Sequence, residues 1–454
     1  RRGCRQRRRR GRWRRRRGRP LTSTSDVRCR AVGSDRPALA RCTAVPAGQF
    51  AEQVWARVPS LSVAADLPRD FTDLLTLADV DVLLAEQGLR TPFLRVAKQG
   101  QVVPERRWTG GGGVGAGIGD QVRDDRVAEQ FADGATVVLQ ALHRTHAPVA
   151  RFATGLAADL GHPVQVNAYV TPPQNQGFAS HYDVHDVFVL QVAGQKRWRL
   201  HAPVVTDPLR DDPWADHADA VRARAAEEPY LEAVLSPGDA LYLPRGWLHA
   251  ATALGDVSAH LTVGIHVHTR AALVEQLAAL VLDDPALRAT LPLGTDPSDP
   301  EDLAPHLAAT VEALVRRLQD VDAGDVARRL TPSVLSGNRP APLAPLAQAA
   351  AVASLSATSP VRLRAGLRWA VRDREDDLAL VLADRTVSVP ARAGDALDRL
   401  LDGSPATAAD LPGLDGDDAV GLVRRLLREG VLVPAASGTT DDGAARADGG
   451  PGSR

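Results

Sequence analysis

The stretch Val164-Gln165-Val166-Asn167-Ala168-Tyr169-Val170 alternates apolar and polar residues with a period of two. That period belongs to a strand with one face on a core and the other on something polar. Ser258-Ala259-His260-Leu261-Thr262-Val263 has the same pattern, with Ser258, His260 and Thr262 on one face. Between them, residues 186–192, 196–201 and 240–243 read as further short strands, and the second stretch extends to 258–268; glycine or proline breaks several of the connections. Many short strands with polar rows facing one way predict a β-sandwich or small barrel of the cupin type, whose polar rows line a mouth for a polar ligand.

Upstream, apolar residues recur from 45 to 106 with mixed spacing, including a strand-like 92–96, and 127–161 reads as two helices broken at Pro148. The glycine run 110–119 contains a G-x-G-x-x-G match at Gly110, Gly112 and Gly115. It follows no apolar strand and precedes no Lys-Ser or Lys-Thr, so it reads as a surface loop and not a phosphate cradle. Downstream, helices at 271–282 and 303–318 form a helical module over 271–345, with a Pro-Ala-rich linker at 340–351. Residues 346–434 hold a last unit with strands at 378–382 and 386–389, helices at 393–401 and 417–428, and a strand at 430–434. Helix, helix, strand is a winged-helix-like order. Residues 361–434 carry 11 arginines against 13 acids, which favours a protein-contact or stabilising role over DNA binding. The class expected is α+β.

The formal charge of zero hides an asymmetry. Thirteen arginines and no acid lie in residues 1–20, so residues 21–454 carry a net charge of thirteen negatives. Nucleic acid is therefore expected to interact only through that arginine-rich tail, and residues 1–44 read as disordered. The tail lacks the apolar stretch of a signal peptide, no apolar run approaches a membrane span, and a cytoplasmic location is expected. A chain that starts at Arg1 and has no methionine reads as a fragment or as a translation begun upstream. Residues 435–454 read as a disordered tail. All three cysteines, Cys4, Cys29 and Cys42, precede the segments that look folded, so any metal must be held by His, Asp or Glu.

Those ligands stand in His181-Tyr182-Asp183, whose first and third residues share one strand face. The segment 237–249, with turns around a short strand, adds His249 at a strand end. Two His and one carboxylate form a facial triad, which leaves iron(II) open positions; zinc suits the same ligands. His185, four residues beyond His181 on the same face, is a weaker candidate because Asp183 supplies the negative charge. Lys196 is one of only two lysines and alternates inward with Trp198 against outward Arg197 and Arg199. Its compact ammonium suits a carboxylate held in a barrel. His260 is expected as a hydrogen-bonding partner behind the ligands, and His266 and His268 at a strand end near solvent.

The segments Asn167 to Pro173, Gln176-Gly177-Phe178, His181-Tyr182-Asp183, Phe188-Val189-Leu190-Gln191, Gly194, Lys196, Trp198, Pro244-Arg245-Gly246, His249 and His260-Leu261-Thr262 closely resemble the JmjC-type ribosomal oxygenases. The resemblance implies a double-stranded β-helix over 45–270, then a helical dimerisation module and a C-terminal winged helix. It implies iron(II) on His181, Asp183 and His249, the far carboxylate of 2-oxoglutarate on Lys196, Asn167 and Thr262 lining the cosubstrate pocket, and dioxygen as co-reactant. It further implies a homodimer that hydroxylates an arginine or histidine side chain of a ribosomal protein. An oxygenase for a small molecule or N-methyl group, or a non-catalytic cupin-like binding protein, remains open. The sequence departs from the family in the acidic stretch 203–232 and in the glycine run.

Overall fold

The computed structural model describes residues 27–29, 36–175 and 178–435. The arginine run of 1–20 and the stretch after 435 lie outside them. Antiparallel strands β1 (Ser60–Ser62), β2 (Leu94–Lys98), β3 (Thr136–Leu139), β4 (Val164–Thr171), β5 (Asp186–His201), β6 (Leu231–Leu235), β7 (Ala240–Leu243) and β8 (Leu248–Ile265) build one sheet in the order β1-β7-β5-β8-β4-β3-β2. Strand β6 pairs with the second half of β5, while β7 pairs with its first half. The expected pairs 186–192 with 196–201 are therefore one strand that turns a corner. Gly194 sits at the corner with φ +59°, a conformation open to glycine. Strand β8 bulges opposite it, between Leu254 and Ala259, and ends at Ile265, earlier than expected.

Because β5 and β8 each serve both halves, the sheet folds over itself into a jelly roll with Val187, Val189, Trp198, Leu200, Leu235, Leu241 and Leu243 packed inside. The outer face is covered by N-terminal elements in the largest apolar cluster, in which Phe188 lies 5.1 Å from Tyr242 and 5.9 Å from Phe50, ring to ring.

Two expectations fail here. Thr136-Val137-Val138-Leu139 is strand, not helix: the run is buried on both sides, and its β-branched residues suit a paired inner strand. Pro148 starts helix α1 (Ala147–Leu160) and does not break one, as proline does in a first turn. Order also begins before residue 45. Helix Pro37–Ala40 packs on α1 through Leu39, Asp159 accepts from the amides of Ala38 and Leu39 at 2.7 and 3.0 Å, and Cys42 is buried. The backbone of Val27–Cys29 pairs with residues 370–372.

Helices α2 (Arg270–Val281), α3 (Pro300–Gln319) and α4 (Ala323–Ser336) follow. The expected linker 340–351 is largely helix α5 (Pro345–Ala353), pinned to the last unit by Gln348, which donates to the carbonyls of Leu427 and Leu432. That unit has its own core. Helices α6 (Gly394–Leu401) and α7 (Gly416–Arg428) press Leu397, Leu400, Val423 and Leu426 onto strands Ala370–Asp373, Asp377–Val381 and Thr386–Pro390, and Val361–Leu363 pairs with Leu432–Pro434. Among the described residues no helix is long and apolar enough to cross a membrane.

Candidate metal centre

His181 and His249 meet across an isolated antiparallel bridge, with amide-to-carbonyl hydrogen bonds of 3.2 and 2.8 Å in the two directions. Tyr182 between the first two candidate ligands points the other way into a small apolar cluster with Val221 and Leu248, and its hydroxyl donates to the Asp212 carbonyl at 2.9 Å. That anchor turns His181 and Asp183 to one side. The amide of Gly246 donates to the Asp183 carbonyl at 3.0 Å and ties the two segments together again.

One ligand atom from each of His181, Asp183 and His249 lies within 4.8 Å of the others, and Nε2 of His249 stands 3.8 Å from Asp183. Nδ1 of His181 lies 2.8 Å from the Ala179 carbonyl and Nδ1 of His249 lies 3.1 Å from the Trp247 carbonyl. A carbonyl only accepts, so each ring carries its proton on Nδ1 and leaves the Nε2 lone pair for an ion. Burial, with the neighbouring His181, pushes His249 down to about 4, so this ring is neutral at pH 7. Burial works to raise Asp183, but the imidazoles of His185, His249 and His181 and the Arg95 guanidinium outweigh it and hold the carboxyl below its ordinary value. Two imidazoles that turn Nε2 inward and one carboxylate are a donor set that fits a divalent cation.

The triad lines a cavity of about 590 Å³, counted to its mouth, with Lys196, Trp198, His260, Thr262 and Tyr169. Lys196 is 4% exposed and donates to Oγ1 of Thr171 at 3.2 Å, which itself lies 3.2 Å from Oγ1 of Thr136. No carboxylate among the described residues pairs with the ammonium, and burial pulls its pKa to about 7. Nε1 of Trp198 and Nδ1 of His260 are also buried without a partner. A pocket with these unmet donors beside an ion site fits an acidic ligand.

Thr262 lines the cavity as expected. Asn167, in register with Thr262, is not among the residues lining the cavity, and its Oδ1 accepts from the Ala141 amide at 2.9 Å. His260 has no hydrogen bond to a ligand residue: its ring stacks on Tyr169 at 5.1 Å and meets Trp198 edge-on at 5.4 Å. His185 is not one of the three converging ligands, and its ring meets that of His266 at 5.2 Å. Thr171 and Thr136 were missed. Thr171 continues the Gln165, Asn167, Tyr169 row by two residues and was legible there, whereas Thr136 was hidden by the helical reading of its strand. Trp214, from the acidic stretch, lies 6.3 Å from His181.

Residues 142–273, which contain every residue lining the cavity except Thr136, match the JmjC domain family. This segment of the chain is a JmjC domain. The chain is 33% identical over 217 residues to Ribosomal oxygenase 1 of Gallus gallus, covering 47% of this chain and 34% of that protein. It is 40% identical over 137 residues to the bifunctional lysine-specific demethylase and histidyl-hydroxylase NO66 of Drosophila persimilis, covering 29% and 19%. The chain thus spans about a third or less of these relatives. In fold it is similar to Escherichia coli ribosomal oxygenase YcfD, at 18% identity over 87% of this chain and 99% of that one with a TM-score of 0.51. A YcfD structure in complex with cobalt and succinic acid aligns at 17% identity over 86% and 98%, TM-score 0.50. The chain shares with these neighbours its jelly roll and the elements that follow it.

Proposed function

We propose that this protein is an iron(II)- and 2-oxoglutarate-dependent oxygenase that hydroxylates an arginine or histidine side chain of a ribosomal protein. The observation that carries the reading is the joint placement, in one cavity, of three ion ligands and a buried lysine with no carboxylate partner. His181, Asp183 and His249 would hold the metal. Lys196, with Thr171 behind it, would take the far carboxylate of 2-oxoglutarate, and Thr262 and Asn167 would border the cosubstrate. Iron(II) supplies, when bound, the activation of dioxygen coupled to loss of carbon dioxide from the 2-oxo acid. The chain's own share is to fix the ring orientations through the Ala179 and Trp247 carbonyls, to orient the dicarboxylate, and to keep water from the oxidised centre with Trp198, Val187 and Val189.

The relatives' names support a protein substrate, and the YcfD complex with succinic acid supports a 2-oxoglutarate product in this fold. A homodimer is part of the proposal: Leu307, Val311 and Val315, at 56%, 47% and 50% exposure, form a stripe along α3 that a second copy would cover. The last unit is proposed as a winged-helix-like contact module.

The test is succinate release from 2-oxoglutarate by the iron-loaded protein, with mass spectrometry of ribosomal proteins incubated with it. We expect a gain of 16 Da on one peptide and its loss in His181→Ala and Lys196→Ala. Turnover that survives His181→Ala overturns the site. A loss of 14 Da from an N-methylated peptide would move the reaction to demethylation, the other activity in the name of NO66.

A further inference from the structure

On the side of the jelly roll where β4 begins, α1 and the segment leading to α5 enclose an open pocket of about 410 Å³ lined by His143, Arg144, Thr154, Asn338 and Arg339. Four of these five polar side chains share one property, while the Thr154 hydroxyl donates to the Ala150 carbonyl at 2.8 Å. Nδ1 of His143 accepts from the Val166 amide at 3.1 Å, and Oδ1 of Asn338 accepts from the Val164 amide at 3.4 Å. Both side chains use their acceptor on β4, which leaves the Nε2–H of His143 and the amide of Asn338 as donors. The Arg144 and Arg339 guanidiniums add only donors, and no carboxylate lines the pocket. Among the described residues no acid pairs with either arginine within 4.0 Å, although the body of the chain is acidic.

We infer that this pocket is an anion site for a phosphate group, recognised by the Arg144 and Arg339 forks with His143 and Asn338 between them. An acceptor-only oxyanion is the complement of two guanidiniums, an imidazole N–H and an amide that all offer donors, and planar guanidiniums match phosphate oxygens two at a time. The crowding of positive charge supports this: after burial, Arg144 and Arg339 both act to lower His143, and Arg339 acts likewise on Arg364. Like charges held together without a counter-charge are relieved by a bound anion. The phosphate can be free or belong to a nucleic acid backbone.

The test uses the full chain with inorganic pyrophosphate and, separately, a short single-stranded RNA, by calorimetry and by fluorescence anisotropy across a salt series. The double variant Arg144→Ser/Arg339→Ser changes two exposed side chains, so folding is retained, checked by circular dichroism. Pyrophosphate binding weakened about tenfold or more by the variant supports the site and assigns it to a free phosphate if RNA is indifferent. RNA binding whose salt slope falls by about 0.7 in the variant supports it with the backbone as source, since one single-strand phosphate contact is lost. Equal affinity of the two proteins for both probes, or binding of neither probe to the unaltered chain, overturns it.

Discussion

Lys196 is where this fold works against its own stability, and removing it gives the most decisive measurement. Its ammonium is 4% exposed, its one described partner is the Thr171 hydroxyl at 3.2 Å, and burial takes its pKa from 10.5 to about 7. In the unfolded chain the group titrates near 10.4, and each unit of difference is about 1.4 kcal/mol. Between pH 7 and 10.5 the unfolded chain therefore holds more of the proton than the folded one does. Stability must rise with pH across that window and be lowest on its acid side. Near pH 7 the shift corresponds to a penalty of roughly 4 kcal/mol, against which the Thr171 bond offsets about 1 kcal/mol. Lys196→Met keeps most of the volume without the charge. It should raise the melting temperature of the metal-free protein at pH 7 by about 6–12 °C, at about 2–4 °C per kcal/mol for a domain of this size, and flatten the rise toward pH 10. The same variant should lose the stabilisation that 2-oxoglutarate gives the unaltered protein. Thermal unfolding at pH 7 and pH 9.5, with and without 2-oxoglutarate, reads all of this. A variant that melts lower than the parent at pH 7, with a parent indifferent to pH, would show that the ammonium is already satisfied and refute its reading as a group awaiting an anion.

Three other perturbations separate folding from the site. Phe188→Ala, in the centre of the Phe50, Tyr242 and Phe188 cluster, should cost about 3–5 kcal/mol in denaturant unfolding, since 0% of the side chain is exposed. Gly194→Val places a β-branched side chain at φ +59° against the backbone of Val257, so it should destabilise by more than a surface change and, by shifting the β5 corner, raise the KM for 2-oxoglutarate through Lys196. Asn167→Ala leaves the Ala141 amide without its acceptor and should cost about 1–2 kcal/mol in unfolding; a KM for 2-oxoglutarate that is unchanged would limit Asn167 to holding that loop.

The parts of the site that the sequence made legible are those where a period of two meets a change of chemistry. His181 and Asp183 straddle Tyr182, and Lys196 and Trp198 alternate with Arg197 and Arg199, so residue type alone fixes which side is inward. The helix α7 was equally plain because its apolar residues recur at Leu422, Val423, Leu426 and Leu427. Thr136–Leu139 was not, because a strand buried on both faces has no alternation left to read, and four apolar-flanked residues fit a helix as well as a strand. The corner at Gly194 escaped for the opposite reason. A bent strand looks like two strands in sequence, and only the bulge of β8 across from it reveals the continuity. That continuity matters for chemistry, because one strand then carries both Val187 and Val189 at the cavity wall and Lys196 at its floor, while β8 carries His249, His260 and Thr262. One ion ligand, His249, and the anion-seeking lysine are thus held by two strands that pair along most of their length, and His181 and Asp183 stand just ahead of β5, with His181 bridged to β8. A distortion at the shared corner should weaken metal and cosubstrate binding together, whereas a substitution at either site alone should affect only one.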